Sequence, residues 1–155
     1  MKKFERLLLD AARAAPTDLA PSFVIFGSAP LASVGIRPDV DDLDLFVSDE
    51  TFDELVRRGY ESRVKRLDPS TGESVHHVVL VPGPAPGSEP DVEVFRTFQG
   101  VDYASVARRA TAHESGMRMA SLPDVRAWKV ASARPKDLAD VASIDRYLAE
   151  LGRRG

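Results

Sequence analysis

Two aspartates one residue apart, in the run Asp42-Leu43-Asp44-Leu45-Phe46-Val47, constrain this chain more than any other feature. In an extended strand, side chains at i and i+2 share a face and stand about 6.6 Å apart along the chain. Asp42 and Asp44 are therefore neighbours, while Leu43, Leu45 and Val47 point the other way into a core. Two carboxylates at that spacing repel by about 2–3 kcal/mol at an effective dielectric near 20. That is a large share of the margin by which a small domain is stable. Acidic residues do protect solvated edge strands from aggregation, but the apolar residues flanking this pair mark a central strand. The repulsion calls for an offset.

The run Asp91-Val92-Glu93-Val94-Phe95 repeats the pattern, with Asp91 and Glu93 on one face and Val92 and Val94 on the other. If this strand lies beside the first, three or four carboxylates converge on one sheet face. A hard divalent cation bound by oxygen ligands is the natural offset. Two such ions bridged by carboxylates activate an attacking oxygen and stabilise a leaving one in phosphoryl transfer. Phe26-Gly27-Ser28 fits beside this cluster: glycine lets backbone approach a ligand closely, and Ser28 with nearby amides can hold phosphate oxygens. A second acidic pair, Asp39-Val40-Asp41, has no apolar run after it and is set aside.

The rest of the chain supplies the frame. Its 155 residues are most economically one domain, 1–155, long enough to bury a core. The absence of cysteine excludes disulfides and thiolate metal sites and suits a reducing cytoplasm. No apolar run is long enough to span a bilayer and the N-terminus has no signal-peptide core, so the expected location is cytoplasmic, with no membrane partner. A net charge of −3 with scattered basic pairs argues against a broad duplex-binding surface and leaves room for a small anionic substrate.

Phe4, Leu7, Leu8, Ala11 and Ala15 recur at helical spacing and Pro16 ends that helix. Strands are expected at 22–26 and 42–47, then a helix over 50–58 capped by Asp49 and stopped by Gly59. A strand pair at 61–67 and 74–81 is joined by a turn at 68–72, and the Pro/Gly-rich stretch 82–90 is a loop. Further elements are a strand at 91–97, a helix at 103–112, a short strand at 117–120, a helix opened by Ser121-Leu122-Pro123-Asp124 and a last helix from Pro135 to about Leu151. The class is α+β, a small mixed sheet flanked by helices with the C-terminal helices packed on it.

Phe26-Gly27-Ser28, then Asp42-Leu43-Asp44-Leu45, then an acidic residue on a later strand, resembles the nucleotidyltransferase superfamily that shares the DNA polymerase β catalytic fold. Trp128-Lys129 through Arg134-Pro135-Lys136-Asp137-Leu138-Ala139-Asp140-Val141 resembles a segment of its small bacterial members, antibiotic nucleotidyltransferases and abortive-infection-type toxins among them. The resemblance implies a Mg²⁺- or Mn²⁺-dependent enzyme. It would move a nucleoside monophosphate from a nucleoside triphosphate to an acceptor hydroxyl or phosphate, releasing pyrophosphate. By position, it assigns the triphosphate to Gly27 and Ser28 and the metal to Asp42 and Asp44, with Asp91 or Glu93 as the third catalytic carboxylate. Lys129 would contact the nucleotide or order the site, and Asp137 would serve the acceptor. A small molecule such as an antibiotic is the favoured acceptor. A tRNA end or a protein is next, which would make the chain a toxin with an antitoxin partner. The rival is a catalytically inactive relative that binds a nucleotide or protein and regulates.

Several residues have plainer readings. Arg37 reads as a solvated loop arginine, Lys136 and Asp140 as an i,i+4 surface pair, and Lys129 equally as a stem snorkelling over apolar neighbours. None of His76, His77 and His113 reads as a metal ligand, because adjacent residues of a strand face opposite ways.

Overall fold

The computed structural model describes residues 1–67 and 71–154. Residues 68–70 of the turn expected at 68–72 lie outside that set. The described residues form, in chain order, α1 (Lys3–Ala14), β1 (Val24–Phe26), α2 (Ala29–Ser33), β2 (Leu43–Phe46), α3 (Asp49–Arg57), β3 (Ser62–Leu67) and β4 (Ser74–Val81). Then come β5 (Val92–Phe95), α4 (Tyr103–Arg109), β6 (Thr111–Ala112), β7 (Arg118–Met119), α5 (Leu122–Ser132) and α6 (Pro135–Arg154). All seven strands join one sheet in the order β3-β4-β5-β2-β1-β7-β6. β2 runs parallel to β5 and β1 parallel to β7, and the other pairings are antiparallel. The fold is α+β with a mixed sheet. No helix among the described residues is long and apolar enough to cross a membrane.

Period-two alternation sends the central strands into two different cores. Leu43, Leu45 and Val47 join Val92 and Val94 against Leu7, Leu8 and Ala11 of α1 and Phe52 and Leu55 of α3. The opposite face carries Phe26, Phe46 and Phe95 against Phe98, Trp128 and Ile144. Here the rings pack edge-on or tilted, with centroids 5.5 Å apart for Phe26–Phe46 and 5.1 Å for Phe98–Trp128, the arrangement the ring quadrupole favours. Asp44 and Phe46 share this second face, as do Glu93 and Phe95, so the carboxylates stand at the end of an aromatic floor.

Some boundaries move for local reasons. Ser48, not Asp49, caps α3: its hydroxyl accepts from the Thr51 amide at 3.2 Å, and Asp49 becomes the first helical residue. The expected helix over 103–112 stops at Arg109, because Thr111 and Ala112 pair with Met119 and Arg118 in a hairpin. Ser121 caps α5 as expected, accepting from the Asp124 amide at 3.3 Å. Ser48→Ala is expected to lower the unfolding free energy by about 1 kcal/mol, measured by urea denaturation. A change within error would mean that water replaces the cap without loss.

Candidate functional site

The parallel pairing of β2 with β5 sets Asp44 directly opposite Glu93. Asp42 precedes β2 by one residue, so it stands on the same side at the mouth of the sheet. Asp42, Asp44 and Glu93 line a cavity of about 240 Å³, together with Ser28, Lys65, Arg66, Trp128, Lys129 and Lys136. Asp91 does not line it. Its carbonyl accepts from the Leu43 amide at 2.9 Å and starts the β2–β5 pairing. Of the two acidic residues that the sequence left open, Glu93 is the one that faces the cavity.

Asp44 is half-buried above the aromatic floor. Burial, reinforced by the charges of Asp42 and Glu93, pushes its carboxyl up to about 8. Burial and Glu93 likewise raise Asp42. Glu93 is 1% exposed, yet it is held below its ordinary value. Burial opposes ionisation there, but a hydrogen bond to each oxygen outweighs it: His77 Nδ1 lies 2.9 Å from Oε2, and Lys65 Nζ donates to Oε1 at 3.1 Å. The cluster thus has two unlike halves, a compensated Glu93 and an uncompensated Asp42–Asp44 pair.

Gly27 makes the close approach possible. Its φ is +65°, and a Cβ there would stand 2.7 Å from Asp44 Oδ2. Gly27→Ala is expected to cost about 1–2 kcal/mol from the left-handed backbone alone, and to turn the Asp44 carboxylate away. Urea denaturation reads the first effect, and the Asp44 carboxyl NMR titration reads the second. An Asp44 titration identical to the parent's would show that the glycine is needed only for the turn. Ser28, the next residue, precedes α2, and its hydroxyl makes no hydrogen bond to another described residue.

Of the basic residues of the cavity, Lys65 and Arg66 come from β3, Lys129 from α5 and Lys136 from α6. Lys129, 2% exposed, donates to Asp140 at 2.8 Å and lies 3.6 Å from Asp137, with its ammonium 4.9 Å from the Trp128 ring centre. Its partners are therefore the α6 aspartates, and the snorkelling reading fails because the ammonium ends inside the protein. Arg37 is no solvated loop arginine. It grips Asp140 through Nε at 3.1 Å and Nη2 at 2.6 Å. That bond, with Lys129, replaces the expected Lys136–Asp140 pair and leaves Lys136 exposed on the cavity wall. Asp137, fully buried, accepts from the Arg134 amide and guanidinium. Asp39 accepts from the Lys3 and Phe4 amides at 2.8 Å each, tying the loop before Asp42 to the start of α1. The set-aside acidic pair thus has a structural task.

Lys65 and His77 escaped the sequence reading. His77 is buried on β4 and approaches Glu93 diagonally across the β4–β5 pairing. Lys65 follows Arg63 by two residues, and Arg63 pairs with His77, so alternation puts Lys65 on the sheet face of His77 and Glu93. Its contact with Glu93 spans 28 positions, which no local sequence signal records.

The oxygen-only donor set of Asp42, Asp44 and Glu93 suits a hard divalent cation, and burial with the charges of Asp42 and Glu93 makes ionising Asp44 costly, a cost such an ion would offset. Among the described residues, no group of three His, Cys, Asp or Glu side chains is already arranged to hold one ion. Lys65 and His77 already engage Glu93. The cavity also carries unpaired positive charge: neither Arg66 nor Lys136 has an ion-pair partner among the described residues.

No protein-family model matches the chain, and no curated protein matches it. Solved structures do align with it. An antigenic nucleotidyltransferase-like protein from Paracoccidioides brasiliensis aligns at TM-score 0.46 and 17% identity, over 92% of this chain and 75% of the other. A candidate nucleotidyltransferase from H. pylori aligns at TM-score 0.41 and 17% identity, over 81% of this chain and 58% of the other. The chain thus spans little more than half of the H. pylori protein's length.

Proposed function

We propose that the chain is a nucleotidyltransferase that moves a nucleoside monophosphate from a nucleoside triphosphate to an acceptor hydroxyl or phosphate, releasing pyrophosphate. One observation carries this reading: a single cavity brings the carboxylates of Asp42, Asp44 and Glu93 together with the cations of Lys129, Lys136 and Arg66. Such a site matches a polyanion that arrives with divalent counter-ions.

Asp42, Asp44 and Glu93 would hold Mg²⁺ or Mn²⁺, which supplies charge neutralisation at the reacting phosphate and at the leaving pyrophosphate. Gly27 keeps the backbone beside Asp44 free of side-chain bulk, and the Ser28 hydroxyl, on the cavity lining, would donate to a phosphate oxygen. Lys136 and Arg66 attract and orient the triphosphate tail, while Lys129, Asp137 and Asp140 hold α5 against α6, which carries Lys136. A carboxylate of the cavity would help to take the acceptor's proton. Most of the acceleration would come from positioning and preorganised charge. A cavity of about 240 Å³ favours a small acceptor, an antibiotic for example. A tRNA end or a protein side chain is the next candidate, which would make the chain a toxin neutralised by an antitoxin.

One observation favours a second reading, a nucleotide-binding module without catalysis: both Glu93 oxygens are already engaged. The experiment that separates the two is incubation with each α-labelled nucleoside triphosphate and Mg²⁺ or Mn²⁺, against tRNA, aminoglycosides, lincosamides and cell extract. Label transferred to any acceptor, and lost in Asp42→Asn, supports the enzyme. Saturable nucleotide binding without transfer to any of them supports the module.

A further inference from the structure

Lys65 bridges two carboxylates of opposite character. Its ammonium donates to Glu93 Oε1 at 3.1 Å and to Glu89 Oε2 at 2.9 Å. Glu93 is 1% exposed at the cavity, whereas Glu89 is 75% exposed in the Pro/Gly-rich loop between β4 and β5. From the edge strand β3 the side chain reaches across β4 to Glu93 and to the loop that carries Glu89. We infer that Lys65 is a tethered counter-cation of the metal-free site: it holds Glu93 until a divalent ion takes that carboxylate, and then remains on Glu89.

The inference rests on the metal site proposed above, and it follows from competition for one acceptor. Glu93 Oε1 cannot serve the ammonium and a divalent ion equally well, since each draws on the same lone pairs and the like charges repel. Lys65 therefore weakens divalent-ion binding by the free energy needed to release it. Glu89 reduces that cost, because the displaced ammonium keeps one partner. His77 stays on Oε2 and keeps the carboxylate oriented.

The test is a calorimetric titration of the full, nucleotide-free chain with Mn²⁺. Lys65→Met is expected to bind Mn²⁺ about tenfold more tightly than the parent, equivalent to about 1.4 kcal/mol. Lys65→Arg, which keeps the charge, should stay within about threefold of the parent, taking the same conversion. Glu89→Gln should bind about threefold more weakly, and this effect should vanish when combined with Lys65→Met, the signature of coupling through the lysine. Lys65→Gln repeats the measurement if methionine disturbs the edge strand. Tighter binding in the neutral variants, or binding in them alone, supports the inference. Parent binding that neutral Lys65 variants do not improve overturns it while leaving the metal site intact. No Mn²⁺ binding in parent or folded variants overturns the metal site and the inference together.

Discussion

Asp44→Asn is expected to reduce nucleotidyl transfer by at least about 10²–10³-fold, the scale on which loss of a preorganised charge contact acts, while raising stability in metal-free buffer at pH 8. The two effects share one cause. In the folded chain the Asp44 carboxyl is pushed up to about 8 by burial and by Asp42 and Glu93, whereas in the unfolded chain it sits near 3.9. Between those values the folded state binds the extra proton. The favourable contribution is therefore complete below about pH 4 and is lost as pH rises through 8. The parent's melting temperature should decline across that window. Asp42, raised in the same direction, adds to the decline. Glu93, held low, acts oppositely and only in the acidic range, where its stabilisation is lost as pH falls.

Replacing Asp44 by asparagine removes the main titrating group and one source of repulsion on Asp42, so the variant's melting temperature should be much flatter over the same interval. Addition of Mg²⁺ and nucleotide should raise the parent's melting temperature by mass action and raise the variant's far less. An undiminished ligand-induced shift in Asp44→Asn would remove Asp44 from the metal site.

Lys129→Met should act on the fold, with a loss of about 1.5–3 kcal/mol, because two buried carboxylates lose a charged donor and keep only Arg37 and Arg134. Asp137 is fully buried, Asp140 is 7% exposed, and Lys129 stands between them. Urea denaturation checks the magnitude. Combining Lys129→Met with Asp140→Asn should recover part of the loss, because a neutral amide no longer demands a charge. Lys136→Ala, at an exposed position on the cavity wall, should fold normally and bind nucleoside triphosphate more weakly. This ordering reverses the one that the sequence suggests, in which Lys129 is the triphosphate ligand and Lys136 a surface partner of Asp140. A loss below about 1 kcal/mol in Lys129→Met would place it with ordinary surface pairs and restore the ligand role.

What was legible in the sequence follows from periodicity. The i,i+2 acidic pairs in two apolar runs marked neighbouring strands, and Asp44 does face Glu93 across a parallel pairing. The glycine before Ser28 was readable because close approach excludes a Cβ. What failed to show depends on contacts distant in sequence. Arg37 meets Asp140 across 103 positions and Asp39 meets Lys3 across 36, and no local pattern records either. Lys65 was invisible for the same reason: Glu93 lies 28 positions away, on a strand two places across the sheet. The choice between Asp91 and Glu93 needed the register, since both lie on the same side of one strand.

Trp128, the one tryptophan of the chain, lines the carboxylate cavity, is 8% exposed, and has a lysine ammonium 4.9 Å from its ring. Its fluorescence is therefore a built-in optical gauge of the cavity. Emission comes from a single indole in an apolar setting, so its wavelength is a signature of one place. A polyanion drawing on the neighbouring cations alters the field across the excited indole and with it the quantum yield. A dye-free titration with nucleotide, at micromolar protein, can thus register occupancy before any acceptor has been identified.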